Sequence, residues 1–257
     1  VDVDYQRFCC RNNPAGPDCR HHRRFVIGGA WAVYLERWQG VKTSDKGVIA
    51  LIGHEGIVPG PYLDSVKVLT YGVGHTAAAG SPDPARMAPG MPDDLDAELV
   101  RVFDVFRRDL EKYEAAVARA ITVPVEQHEF DAAVSFHFNT GAIHRASWVK
   151  SLNAGDRSKA TAQIMNWTKP REIIPRRQSE QELFATGKYP AQGVTVWAVT
   201  PDKRVEWVPA RRLDPQEALA LLRGAVRPDN EVAHGSAVPS IWLTIINAIF
   251  KLFGVKK

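Results

Sequence analysis

The sequence predicts an α+β domain of two lobes, on three observations. A short helical pattern runs directly into a small hairpin within residues 43–73. A stripe of apolar side chains then recurs every three or four positions over residues 95–120, long enough to serve as a spine between lobes. Several shorter helical patterns follow and supply a second, helical lobe. At 257 residues the chain holds one such domain with appendages.

Thr43-Ser44-Asp45 offers a helix cap, and Val48, Leu51 and Ile52 share one face of the helix that leads to Glu55. Gly56 and the Pro59-Gly60-Pro61 cluster are expected to stop it. Residues 62–73 are rich in β-branched and aromatic types, with a turn near Val66-Lys67, which predicts a hairpin. Residues 77–92, full of Gly, Pro and Ala, predict a loop. In the spine, Leu95, Leu99, Val102, Phe103, Phe106, Leu110, Tyr113 and Val117 form the buried stripe, and Pro124 ends it. Helices are expected through Phe130 to Asn139, over 147–153, over 157–166 and over 175–184. After Gly187 the pattern changes to a second hairpin, with strands at 194–199 and 204–208, and to a helix begun by Asp214-Pro215 and ended by Gly224. The resulting division is an extension over 1–40, a main domain over 41–189, an appended hairpin and helix over 190–236, and a terminal helix over 237–257.

Composition bounds the function. Hydrophobic content of 45% with 24% charge excludes a chain disordered throughout. A net charge of +4 favours an anionic polymer without choosing among nucleic acid, lipid head groups and cell wall. Cys9, Cys10 and Cys19 all fall within the first twenty residues, so the fold is not a disulfide scaffold. With His21-His22 they have metal-ligand residue types, but the spacing fits no common zinc pattern. The chain starts at Val1, which points to processing or trimming. No run reaches the roughly 18–20 apolar residues of a membrane span. Residues 25–35 read as a buried segment ahead of a remnant export anchor.

The residues that carry chemistry lie between the first helix and the hairpin. Glu55 ends a mostly apolar helix, where burial would favour a protonated carboxyl able to act as a general acid. Asp64 on the following hairpin can face it across a groove. Thr70 on the returning strand is expected almost opposite Asp64, where hydroxyl and carboxylate can share one water. Two such groups on opposite faces of a bond are what glycoside hydrolysis needs.

Glu55, Asp64 and Thr70, followed by Tyr71-Gly72-Val73-Gly74-His75-Thr76, resemble the catalytic motif of the phage T4-type lysozymes. Gln127, Phe130-Asp131-Ala132, Ser135-Phe136, Phe138-Asn139 and Gly141 look like that family's central helix in the second lobe. Leu152 to Asp156 and the Arg176-Arg177, Glu180, Leu183-Phe184, Gly187 pattern complete a similarity over about residues 43–188. The resemblance implies a lysozyme that cleaves the β-1,4 bond between N-acetylmuramic acid and N-acetylglucosamine. Glu55 would be the acid, Asp64 the group that activates water or stabilises the transition state, and Thr70 the residue that positions that water. It also implies a stabilising ion pair for His75 with an unnamed acid, and no metal or cofactor. The partner would be bacterial peptidoglycan rather than nucleic acid, with action in the periplasm by a monomer. Two departures stand out: Lys67 occupies a turn where the family usually has Gly, and His54 precedes Glu55 where an aromatic is common.

Other residues carry two readings each. Asn139, Arg145, Arg176 and Lys67 are candidate substrate-binding residues. Against this, Asn139 can cap a helix end beside Gly141, and Arg176 with Arg177 can form a solvated face with one internal salt bridge. Trp148, Trp167, Trp197 and Trp207 can stack on sugar rings or fill the core. Residues 241–257 read as an amphipathic helix for a membrane surface, or one packed on the body. The rivals to a phage or prophage endolysin are a bacteriolytic toxin of the same fold, an inactive wall-binding module, a membrane-disrupting protein and a lytic transglycosylase. The intact Glu55, Asp64 and Thr70 set argues against the inactive module and the transglycosylase, and the membrane-disrupting reading is separated by whether killing survives Glu55→Gln and needs residues 241–257.

Overall fold

The computed structural model describes residues 41–191 and 193–224. The readings on residues 1–40, the three cysteines and the 241–257 helix lie outside the described residues. Helix α1 spans Asp45–Glu55 and leads into strands β1 (Val58–Leu63), β2 (Leu69–Gly72) and β3 (His75–Thr76), an antiparallel sheet in that order. The spine α2 covers Leu95–Ala120, and α3 (Gln127–Thr140), α4 (Ser147–Asn153), α5 (Arg157–Ile164) and α6 (Ile174–Thr186) form the helical lobe. A second hairpin, β4 (Val194–Val199) and β5 (Val205–Leu213), and helix α7 (Pro215–Leu222) complete the described chain.

The apolar stripe of α2 behaves as its period demands: Leu99, Val102, Phe103, Phe106, Leu110 and Val117 are buried. Each such side chain contributes about 1.5–3 kcal/mol on leaving water. One continuous core also takes in Leu51 and Ile52 of α1, Phe130 and Phe136 of α3, and Leu183 and Phe184 of α6. Val194, Val196, Leu213 and Leu219, from the hairpin and helix expected as an appendage, belong to it too.

The first helix ends before the Pro59-Gly60-Pro61 cluster, as expected, but the hairpin begins earlier than residue 62, and the cluster lies inside β1. Strand β1 has a register irregularity between Val58 and Tyr62, so its prolines sit where regular ladder bonds are absent. Gly60 is needed there, because a Cβ would come within 2.2 Å of the Gly90 carbonyl oxygen.

Helix α1 is pinned to the second lobe at its start, which sets where its end must lie. Ser44 caps it by accepting from Gly47 N–H at 3.1 Å. Buried Asp131 of α3 accepts from Ser44 N–H (3.0 Å), Ser44 Oγ–H (2.5 Å), Gln127 Nε2 (2.9 Å) and the Tyr189 hydroxyl (2.7 Å). A Cβ at Gly47 would lie 2.5 Å from the Asp131 carboxyl carbon, so only glycine permits this approach. With one end fixed to α3, α1 delivers Glu55 to the base of the sheet.

Candidate active site

Glu55 is the last residue of α1, with 19% of its side chain exposed. It is not buried in an apolar pocket alone, as its sequence context implied. Arg176 Nη1 donates to Glu55 Oε1 at 2.6 Å. Oε2 lies on the other side, 3.7 Å from where a Cβ on Gly74 would stand. Gly74 has φ of 73° and is solvent-exposed, so the absent side chain opens the space above that oxygen.

Arg176 and Arg177 also overturn the solvated-face reading: both are buried. Arg176 Nε donates to Glu180 Oε1 at 3.0 Å, and its Nη2 donates to the Ser135 carbonyl at 3.1 Å. Burial opposes the charge on Arg176, but the pull of Glu55 and Glu180 outweighs it and holds its pKa above the ordinary value. With these bonds made, Arg176 positions Glu55 and does not reach out for a substrate carboxylate. Arg177, fully buried, donates to the other Glu180 oxygen and, at 2.5 Å, to Asn139 Oδ1. Burial lowers the pKa of Arg177, Glu180 opposes that, and neighbouring Arg176 adds to it.

His54 does not act on Glu55 as a cation. Burial, then the Coulombic repulsion of Arg176 and Arg177, lowers its pKa to about 4, so it is neutral near pH 7.

Asp64 follows β1 at the tip of the hairpin. Its Oδ1 accepts from Val66 N–H (2.9 Å) and Val68 N–H (2.8 Å), an arrangement that closes the turn. Both bonds fall on Oδ1, and among the described residues Oδ2 takes none. Thr70 is buried in β2, and its cross-strand partner is Tyr62, not Asp64. Its hydroxyl donates to the Val68 carbonyl at 3.1 Å, so the Thr70 oxygen presents lone pairs to a water.

Lys67 sits in this turn with φ of 66°, the left-handed conformation that glycine adopts without cost. The exposed Lys67 side chain is thus a passenger on a strained backbone. Lys67→Gly is expected to raise stability by about 0.5–1 kcal/mol. A lower urea midpoint for that variant would show that the lysine makes a contact worth more than its strain.

Residues that sequence reasoning passed over complete the site. Tyr62 lies within electrostatic reach of both Glu55 and Asp64, and burial, then these two carboxylates, raises its pKa well above the ordinary tyrosine value. It therefore stays neutral near pH 7. Phe138 and Tyr113 stack at 4.6 Å between ring centres, and Phe138 reaches within 3.3 Å of the Gly74 Cβ position. Tyr62 had been read only as a strand aromatic; its place seven residues after Glu55 was the available signal.

The remaining candidates are placed as follows. Asn139 is exposed, and no bond from it caps the helix end: Gly141, in the left-handed conformation, does that through its own N–H to the His137 carbonyl (2.7 Å). Arg145 is exposed and stands over the Trp167 ring at 5.5 Å. Trp148 is core. His75 is buried against Asp109 at 2.5 Å, which names the acid that the sequence left open. Among the described residues no group of His, Cys, Asp and Glu is set to hold a metal ion.

The model of the family described as phage lysozyme matches residues 52–180, half of the chain, and so spans Glu55, the hairpin and Glu180. The chain belongs to the phage lysozyme family. This lysozyme is 31% identical over 150 residues to the endolysin of Salmonella phage P22, a match covering 56% of this chain and 98% of that one. It is 33% identical over 142 residues to the SAR-endolysin of Escherichia phage Mu, covering 52% and 76%. Among solved structures, the endolysin of Escherichia coli phage FAHEc1 superposes with a TM-score of 0.51 at 28% identity, covering 59% of this chain and 98% of that one. As a member of this family the protein is a glycoside hydrolase that degrades peptidoglycan. The family model's match ends at residue 180, before β4, β5 and α7.

Proposed function

We propose that this lysozyme hydrolyses the β-1,4 bond between N-acetylmuramic acid and N-acetylglucosamine, with Glu55 as general acid, Asp64 as base toward water and Thr70 holding that water. The observation that carries this reading is the asymmetry of Glu55. One oxygen is clamped by Arg176 at 2.6 Å, and the other faces the opening left by Gly74. A carboxyl fixed in this way presents a single oxygen to the glycosidic oxygen, which is what proton delivery to a leaving group requires.

The water side fits the same chemistry. Asp64 Oδ2 and the Thr70 oxygen are both acceptors, so each can take one hydrogen of a water and leave its lone pair directed at the sugar carbon. Tyr62 keeps a neutral hydroxyl within electrostatic reach of both carboxylates. A monomeric working unit acting on the wall from the periplasm is part of the same proposal, on the family relationship alone. Membrane contact through residues 241–257 stays part of the proposal on sequence pattern alone.

Product analysis tests the reaction. Purified sacculi digested with the chain should release fragments with reducing N-acetylmuramic acid ends, each carrying one oxygen from ¹⁸O-labelled water. Anhydro-muramic ends without label would instead make the protein a transglycosylase, and absence of fragments would remove the assignment.

A further inference from the structure

The family model ends at residue 180, and the chain then adds β4, β5 and α7. The hairpin of this addition is bonded along β1. Ile57 N–H donates to the Thr195 carbonyl (2.9 Å), Trp197 N–H to the Ile57 carbonyl (2.8 Å), and Leu63 N–H to the Lys203 carbonyl (2.9 Å). The contact therefore runs from two residues after Glu55 to the residue before Asp64. It borders the strand that links the acid to the base along its length.

The outer strand of this hairpin is bare. Residues 206–210 are exposed, and Trp207 shows 77% of its surface to solvent. Trp207 stands edge-to-face with Trp197, ring centres 5.5 Å apart. Trp197 in turn is bedded against Gly56, its Nε1 2.6 Å from where a Cβ would lie. Trp197 thus rests against the residue that follows Glu55 and carries Trp207 at its edge. Its hairpin carries four cations, Lys203, Arg204, Arg211 and Arg212, against two carboxylates, Asp202 and Glu206. Arg211 is engaged with Asp96 and Glu217, and Arg204 with Asp202.

We propose that Trp207, backed by Trp197, is an additional glycan-binding subsite that extends the cleft along the outer edge of β1. It would take an N-acetylated amino sugar of the same strand, beyond the rings that flank the scissile bond. An indole face offers a large, rigid apolar surface to the C–H face of a pyranose, and its exposure in the free protein leaves it open to a ligand. The basic hairpin suits a wall polymer that carries lactyl and peptide carboxylates. The continuity of the hairpin with β1 selects glycan over an unrelated partner. This inference rests on the lysozyme reading above.

The test uses the full chain with Glu55→Gln, which keeps the site but removes the acid. Calorimetric titration with purified peptidoglycan glycan fragments of two and of four disaccharide units compares this chain with the same chain carrying Trp207→Ala or Trp207→Phe. Trp207→Ala should weaken the longer fragment about tenfold, equivalent to roughly 1.4 kcal/mol, while the shorter fragment changes little and Trp207→Phe restores most of the loss. Unchanged affinity for both fragments overturns the subsite and leaves the lysozyme reading in place. An equal loss for both puts Trp207 in the central cleft and overturns the extension. If Trp207→Ala instead converts a dimer to a monomer in sedimentation without altering glycan affinity, the occupant is a second copy and the subsite falls. Failure of the Glu55→Gln chain to bind either fragment removes the lysozyme reading and the subsite together.

Discussion

Glu55→Gln is expected to slow the clearing of purified sacculi by about a hundredfold or more, the order of what loss of a general acid costs. The substitution keeps the shape of the side chain and an oxygen to accept from Arg176 Nη1, at present 2.6 Å from Glu55 Oε1. What it removes is the proton that the second oxygen, at the Gly74 opening, would deliver. The fold should survive, because Arg176 retains Glu180 and the Ser135 carbonyl as partners. Initial rates of turbidity loss, read beside a thermal melt, separate the two effects. Glu182→Gln, on an exposed residue paired only with Lys188 at the surface, serves as the neutral control. A Glu55→Gln rate within a few fold of the parent would end the assignment of Glu55 as the acid.

Glu180→Gln should be the most damaging single change to stability. Glu180 is buried and faces two arginines, accepting from Arg176 Nε at 3.0 Å, from Arg177 Nη1, and from Ser135 Oγ at 2.7 Å. Removing one partner of a buried pair leaves the other charge uncompensated, at a cost of about 3–5 kcal/mol. Here Arg177 suffers most, because Arg176 keeps Glu55 while fully buried Arg177 is left with Asn139. For a domain of this size the loss corresponds to a fall in Tm of roughly 10 °C or more. Activity should fall as well at temperatures where the fold persists, because Arg176 loses the carboxylate that orients its approach to Glu55. A melt shifted by less than about 3 °C would mean that the network contributes little net stability.

Much of this architecture was legible in the residues. The stripe from Leu95 to Val117 defined the spine, and α2 occupies 95–120 as the period predicts. Ser44 as cap, Gly141 and Gly187 in the left-handed conformation, and Asp214-Pro215 at a helix start are local chemistry, and local chemistry is what sequence encodes most directly. The position of Lys67 in place of Gly could likewise be seen, and its φ of 66° follows from the turn.

The misplaced elements have a common cause. Pro59-Gly60-Pro61 lies beyond the helix end as expected, yet it belongs to β1, which starts earlier than the residue types suggest and passes the Gly90 backbone at Gly60. Arg176 and Arg177 read as surface cations, yet Glu180, Glu55 and Asn139 make their burial tolerable. The hairpin of β4 and β5 reads as an appendage, yet its bonds go to Ile57 and Leu63, more than a hundred residues earlier.

The helices, their caps, the hairpin turn and the spacing of Glu55, Asp64 and Thr70 are local features, since each depends on neighbours within a few residues. The packing of distant elements is what makes Asp109 the partner of His75, sets Arg176 on Glu55, brings Tyr62 within electrostatic reach of both carboxylates and backs Gly56 with Trp197. Those pairings join residues far apart in the chain. Burial makes each charge or polar group find a partner, but which partner it finds depends on how the elements pack.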